Sequence, residues 1–191
     1  MIRIGIVGDI GSGKSHVARL FGYPVFNADV EVSKIYKKNK KCYKRLKKVL
    51  PLYIKSFPVR KKKLSEAIME NKNNLKKINK IVHPQVRSSM NDFIRKNKSK
   101  KFIILDIPLL LENKMNRKND IVVFVNARKN KINKRLKRRN KANLKIIKKL
   151  KKLQLPVAVK RKKSNFVIKN NFKKNNVKKN AKNILRYIVN A

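Results

Sequence analysis

Five short runs of apolar residues punctuate a chain otherwise dominated by lysine and asparagine. Residues 102–105 (Phe-Ile-Ile-Leu) and 121–125 (Ile-Val-Val-Phe-Val) are continuous, the mark of strands buried on both faces. Residues 2–7 form a third run rich in branched side chains, and 25–26 and 166–168 are shorter ones. Between the runs the apolar positions take helical spacing. Val17, Ala18, Leu20 and Phe21 mark a helix over 15–21, and residues 30–36 read as another. Residues 30–100 are mostly helical, divided at Pro51 and Pro58, with Leu64, Ile68, Leu75, Ile78, Ile81 and Val82 as apolar faces. His83-Pro84 is expected to start a further helix, with Val86, Met90, Phe93 and Ile94 on one stripe. Residues 131–153 read as one long, strongly basic helical stretch. Residues 177–189 read as a closing helix carrying Ala181, Ile184, Leu185 and Ile188. Strands interleaved with helices predict an α/β fold with a parallel sheet. There is no internal repeat, separate tail or long flexible linker.

Composition narrows this picture. A chain of 191 residues that is 41% hydrophobic suffices for one compact domain with small insertions. No run approaches the roughly 18 apolar residues of a membrane span, and the first residues lead directly into a strand rather than a signal peptide. The single cysteine, Cys42, has no partner for an internal disulfide, which suits a reducing cytoplasm. Its lysine neighbours could lower its pKa, but an incidental thiol is the simpler reading. The 55 Lys+Arg against 9 Asp+Glu give a net charge of +46, which attracts polyanions of every kind. The lysines are spread over nearly every predicted surface, alongside abundant Asn and Ile. That pattern fits a compositional bias better than a specific nucleic-acid interface.

The chemistry starts after the first strand. Gly8-Asp9-Ile10-Gly11-Ser12-Gly13-Lys14-Ser15 fits the phosphate-binding loop, in its required context of strand, glycine turn and helix. The glycines allow successive N–H groups to point inward as an anion nest. Lys14 supplies a charge to the β- and γ-phosphates, and Ser15 can place a hydroxyl on Mg²⁺. Asp9 would repel polyphosphate unless its side chain turns away. Asp29, after the second strand, sits where open α/β sheets bind ligands and could serve as a base or help position metal; as a helix N-cap it would do neither. Asp106 ends a buried strand in a Walker-B-like pattern and could bind Mg²⁺. Glu112 is a second acid near the same end. Arg135 and Arg139 share one helical face and suit ATP phosphates, although a solvated basic face has the same pattern. His83 could touch a ligand phosphate or be a structural hydrogen-bonder. No guanine-recognition signature of the NKxD kind is present, so a small-molecule kinase is expected rather than a GTPase.

In this order the landmarks resemble those of the dephospho-CoA kinase family. They are the loop at 8–15 (family GGIGSGKS), Asn27-Ala28-Asp29 (DAD), His83-Pro84, and Pro108-Leu109-Leu110 with Glu112 (PLLxE). Arg135-Leu136 with Arg139 (RLxxR), Gln154, and Val167-Ile168 with Asn170 (VIxN) complete the set. The resemblance implies a P-loop NTPase fold: a parallel sheet flanked by helices (about 1–29, 101–128 and 154–191), a helical insertion on the CoA side (about 30–100) and a lid (about 129–153). It implies transfer of the ATP γ-phosphoryl to the ribose 3′-hydroxyl of dephospho-CoA with Mg²⁺. Beside the resemblance, a cytoplasmic monomer with no membrane partner is expected. Gly11, Ser12, Gly13, Lys14, Ser15 and His16 would hold ATP, with Asn170 near its adenine or ribose. Asp29 would orient the 3′-hydroxyl. His83, Pro108 and Leu109 would lie on the acceptor side, Ser15 and Asp106 on the metal, and Arg135 and Arg139 in the lid.

Several positions depart from the family pattern: Asp9 for a glycine, His16 for the usual threonine, Asn27 for the first acid of DAD, Lys160 for an arginine, and Asn165-Phe166 where an acid is frequent. None removes Lys14, Ser15, Asp29 or the lid arginines, so an active and at most slowed enzyme is expected. Two other classes compete. A nucleoside or nucleotide kinase would share loop and lid but ignore dephospho-CoA, and a nucleic-acid binder would use the charge alone. The nine acids argue against the last, because Asp29, Asp106 and Glu112 stand where chemistry would need them.

Overall fold

The computed structural model describes residues 1–137 and 151–190. The chain divides into two units, one of Met1–Asn27 with Asn97–Ala191 and one of Ala28–Lys96.

The first unit is built on a five-stranded sheet of β1 (Ile2–Gly8), β2 (Val25–Asn27), β3 (Phe102–Asp106), β4 (Ile121–Asn126) and β5 (Phe166–Lys169), in the order β2-β3-β1-β4-β5. All four pairings are parallel. The continuous apolar runs explain the central positions: β3 is buried at every residue and β1 at all but its first. On one face Ile4, Ile6, Ile104, Val123, Val125 and Ile168 meet Val17, Ala18 and Phe21 of α1 (Lys14–Leu20 and its C-cap) and Val177, Ala181 and Ile184 of the terminal helix, Lys174–Asn190.

Arg3, in β1, is buried and bonds Asp120 just before β4, Nη2 to Oδ2 at 2.9 Å. Asp120 Oδ2 also accepts from the backbone N–H of Arg117 at 2.8 Å. Burial pulls the Arg3 guanidinium down from its ordinary pKa and pushes the Asp120 carboxyl up.

The second unit is helical: α2 (Ala28–Lys38), α3 (Lys40–Val49), α4 (Lys61–Glu70) and α5 (Lys72–Lys96), with α2, α3 and α4 each packed on α5. The expected new helix at His83-Pro84 is not a start. α5 runs straight through Pro84, because Ile78, Val82, Val86 and Met90 form a single buried stripe that spans the proline. One lost backbone hydrogen bond is outweighed by that packing. Asn39 caps α3, accepting from Cys42 N at 2.8 Å. Cys42 is buried, and burial pushes its thiol pKa up rather than down, with Arg45 opposing.

Of the expected helix over 131–153, the described residues give α6 (Lys129–Lys137) and a helical Lys151, followed by a turn at 152–153. The last helices are α7 (Val157–Lys162) and α8 (Lys174–Asn190). No helix among the described residues is long and apolar enough to cross a membrane.

Candidate active site

In a parallel sheet the strands all end at one edge, and that edge is where ligands bind. Here β1 runs into the glycine loop, β2 ends at Asn27, β3 at Asp106 and β5 at Lys169, one residue before Asn170. The sheet thus brings the loop, Asp106 and Asn170 to a common edge.

The loop is held from inside. Lys14 Nζ donates to the carbonyls of Asp9 (3.0 Å) and Gly8 (3.3 Å), so its ammonium lies across the loop. Ser12 N donates to Asp9 O at 3.2 Å, and His16 and Val17 N–H groups both reach Gly13 O at 3.0 Å. Asp9 does not stand free: Oδ1 accepts from Ile10 N at 2.7 Å, and Oδ2 lies 3.6 Å from the exposed Lys151 ammonium. The acid is therefore spent on local backbone and a surface cation.

Asn170 braces the loop from the neighbouring edge. It is buried; Nδ2 donates to Ser12 O at 2.8 Å and Oδ1 accepts from Phe172 N at 2.9 Å. The brace explains Gly13. A side chain there would place its Cβ 2.5 Å from Asn170 Nδ2, at a φ of +90°.

Asn27 and Asp106 sit opposite each other in the β2–β3 register. Asn27 Nδ2 donates to Asp106 Oδ2 at 2.5 Å. The amide at the first position of the Asn27-Ala28-Asp29 motif is thus a donor to the acid that ends β3. Asp106 is buried. Among the described residues no group of three or more His, Cys, Asp or Glu side chains could hold a metal unaided. The Ser15 hydroxyl and one carboxylate are nonetheless the sparse oxygen donor set that suits Mg²⁺, which keeps waters and phosphate oxygens as its other ligands. Ser12 Oγ, fully buried in the loop, has no hydrogen-bond partner among the described residues.

Pro108 and Leu109 are half-buried in the turn after β3. Glu112 has a role the sequence did not reveal. Its Oε1 lies 3.0 Å from Lys160 Nζ and accepts from Leu155 N at 3.0 Å. Lys160 is fully buried and also donates to Gln154 Oε1 at 2.9 Å. In a chain with 55 basic residues nothing marks one of them as buried. Lys160 is thus the cation of a buried ion pair.

Arg135 lies on α6 with its guanidinium 4.6 Å above the Phe172 ring. Arg139 lies outside the described residues. Asp29 and His83 belong to the helical unit. Asp29 is exposed in the first turn of α2, where Ser33 Oγ donates to its carbonyl at 2.7 Å. His83 is half-buried within α5; burial and the charge of Arg87 both push its pKa down. Below the sheet edge, Arg128, Lys131, Lys169, Lys173 and Lys179 line a basic basin with Asn126 and Asn170.

Residues 2–176 match the model of the family described as dephospho-CoA kinase. A dephospho-CoA kinase of the Wolbachia of Brugia malayi is 33% identical over 187 residues, covering 95% of both chains. A crystal structure from Thermus thermophilus superposes with a TM-score of 0.79 at 27% identity, over 97% of each chain. The dephospho-CoA kinase of Campylobacter jejuni superposes at 0.64 and 22% identity, over 97% of this chain and 96% of that one.

Proposed function

The chain belongs to the dephospho-CoA kinase family, which phosphorylates dephospho-CoA with ATP in coenzyme A biosynthesis, and from that premise we propose which of its residues perform the transfer and that the acceptor is the ribose 3′-hydroxyl. The observation that carries the assignment of the donor side is the loop itself: glycine turns, Lys14 lying across the carbonyls of Gly8 and Asp9, and Asn170 bracing Ser12.

Residues 11–16 cradle the ATP phosphates through the Lys14 ammonium and the loop N–H groups that are not, like those of Ser12 and His16, already bonded to Asp9 O and Gly13 O. Ser15 and Asp106 would hold Mg²⁺, which would supply positive charge against the ATP phosphates. Asn27 fixes the Asp106 carboxylate for that task through its 2.5 Å hydrogen bond. Asn170 serves the nucleotide through the loop, because its amide is engaged by Ser12 and Phe172. Asp29 aligns the acceptor hydroxyl and takes its proton as the phosphoryl moves in line. Arg135 and Arg139 stabilise the charge spread over that phosphoryl. His83, Pro108 and Leu109 contact the acceptor, with the helical unit on the acceptor side and residues 129–153 as the lid. The expected working form is a cytoplasmic monomer.

The test is ADP release from Mg²⁺-ATP with and without dephospho-CoA, with the product weighed for one added phosphate and its position fixed by NMR. Stimulated release with phosphate on the 3′-oxygen supports the reading. Phosphorylation of a nucleoside panel in preference to dephospho-CoA would overturn the acceptor assignment while leaving the loop's role intact.

A further inference from the structure

Phe172 has a positive φ of 65°, the left-handed region that side chains other than glycine avoid. Such strain persists only where surrounding contacts over-determine it, and it is a starting point for asking about function. Three contacts hold it. Its N–H is bonded by Asn170 Oδ1 at 2.9 Å, and Asn170 is itself tied to Ser12 of the phosphate loop at 2.8 Å. The preceding carbonyl, Asn171 O, accepts from Lys131 Nζ of α6 at 3.1 Å. The consequence is a ring pressed against the loop, with Cε1 3.3 Å from the place a Cβ on Gly13 would take.

The Arg135 guanidinium lies on that ring, 4.6 Å from the centroid. The helix that carries Arg135 is fixed to the same loop from the other side: Ile132 and Leu136 come within 3.1 and 3.2 Å of a Cβ position on Gly11. Arg135 itself is exposed, and an exposed arginine has many rotamers to lose.

We propose that Phe172 is a positioning residue for the transfer reaction, its ring holding the Arg135 guanidinium beside the phosphate loop before nucleotide arrives. The proposal rests on the reading that Arg135 acts on the transferring phosphoryl. An aromatic ring suits the task better than a carboxylate. A carboxylate partner would neutralise the guanidinium and compete with phosphate for its N–H groups, and it would add negative charge next to ATP. A ring face attracts the cation, leaves its donors available and is released at small cost. The left-handed backbone makes the same point from the other direction. Glycine would be the unstrained residue at 172, so a large side chain there keeps a ring in place at the expense of conformation.

The experiment uses the full chain with F172G, F172L and F172Y, each alone and with R135M, and reads turnover, KM for both substrates and thermal melting. F172G is expected to melt close to the wild-type temperature, relief of strain offsetting the lost ring packing, while its kcat falls roughly two- to fivefold, the size of one exposed cation–π contact. F172L, similar in bulk but without a π face, should fall equally, and F172Y should restore the rate. In the R135M background the F172G change should add no further loss. Full turnover in F172L, or an equal loss from F172G in both backgrounds, would reduce Phe172 to packing and overturn the proposal alone. An unimpaired R135M would instead overturn the role of Arg135, and the proposal with it.

Discussion

Asn27 donates from Nδ2 to Oδ2 of Asp106 at 2.5 Å, across paired positions of two parallel strands. The amide gives this buried carboxylate a neutral hydrogen-bond donor. Replacing it with Asp sets two carboxylates against each other. N27D is expected to lower stability by about 1–3 kcal/mol in metal-free buffer at pH 7. Added Mg²⁺ should recover much of the loss. Melting curves with EDTA and with Mg²⁺ check this, and identical shifts in both buffers would refute it.

The Glu112–Lys160 pair predicts an asymmetry. Lys160 is 2% exposed and within 3.0 Å of Glu112. E112A leaves a buried cation without its counter-ion and should cost about 3–5 kcal/mol, whereas the double change E112L/K160M should cost much less. Urea unfolding of the three proteins decides it.

Asp29, exposed at the start of α2, is assigned to a proton and not to the fold. D29N should therefore melt like the parent chain and lose about 10²–10⁴-fold in turnover, with KM for ATP little changed. A D29N enzyme with full turnover would remove Asp29 from the reaction.

His83 predicts a pH dependence. Burial, then Arg87, depresses its pKa in the folded chain, so the fold favours the neutral ring. The unfolded chain takes up a proton near the ordinary value of about 6.5. Stability from this group is present above that pH and is lost as pH falls through it toward the lower folded value. The drop in melting temperature between pH 7.5 and pH 5 should be smaller in H83Q than in the parent.

Cys42 is 2% exposed, and its thiol is pushed up by burial. The thiolate is the reacting species. Iodoacetamide should label the native chain slowly and the urea-unfolded chain fast at pH 8, despite the lysines on either side.

The strands and the loop were legible because their signals are local. Residues 102–106 read as a buried strand, and the spacing of Gly8, Gly11, Gly13 and Lys14 needs no knowledge of the rest. The proline at 84 misled for the same reason. Proline's effect is local, whereas the stripe from Ile78 to Met90 that carries α5 past it is a property of packing. The tie between Glu112 and Lys160, 48 positions apart, and that between Arg135 and Phe172 depend on tertiary approach. Among so many lysines the sequence gives no reason to choose one pair.

The position of the helical unit within the chain also bears on assembly. α2 to α5 are consecutive, and their contacts all fall within residues 28–96, closer in sequence than β1 is to β3 or β4. β1 has no partner until residues 102–106 and 121–126 can reach it. The strand that leads into the phosphate loop is thus synthesised before its neighbours and zipped in after them. The loop's frame is complete only when those later strands have joined β1.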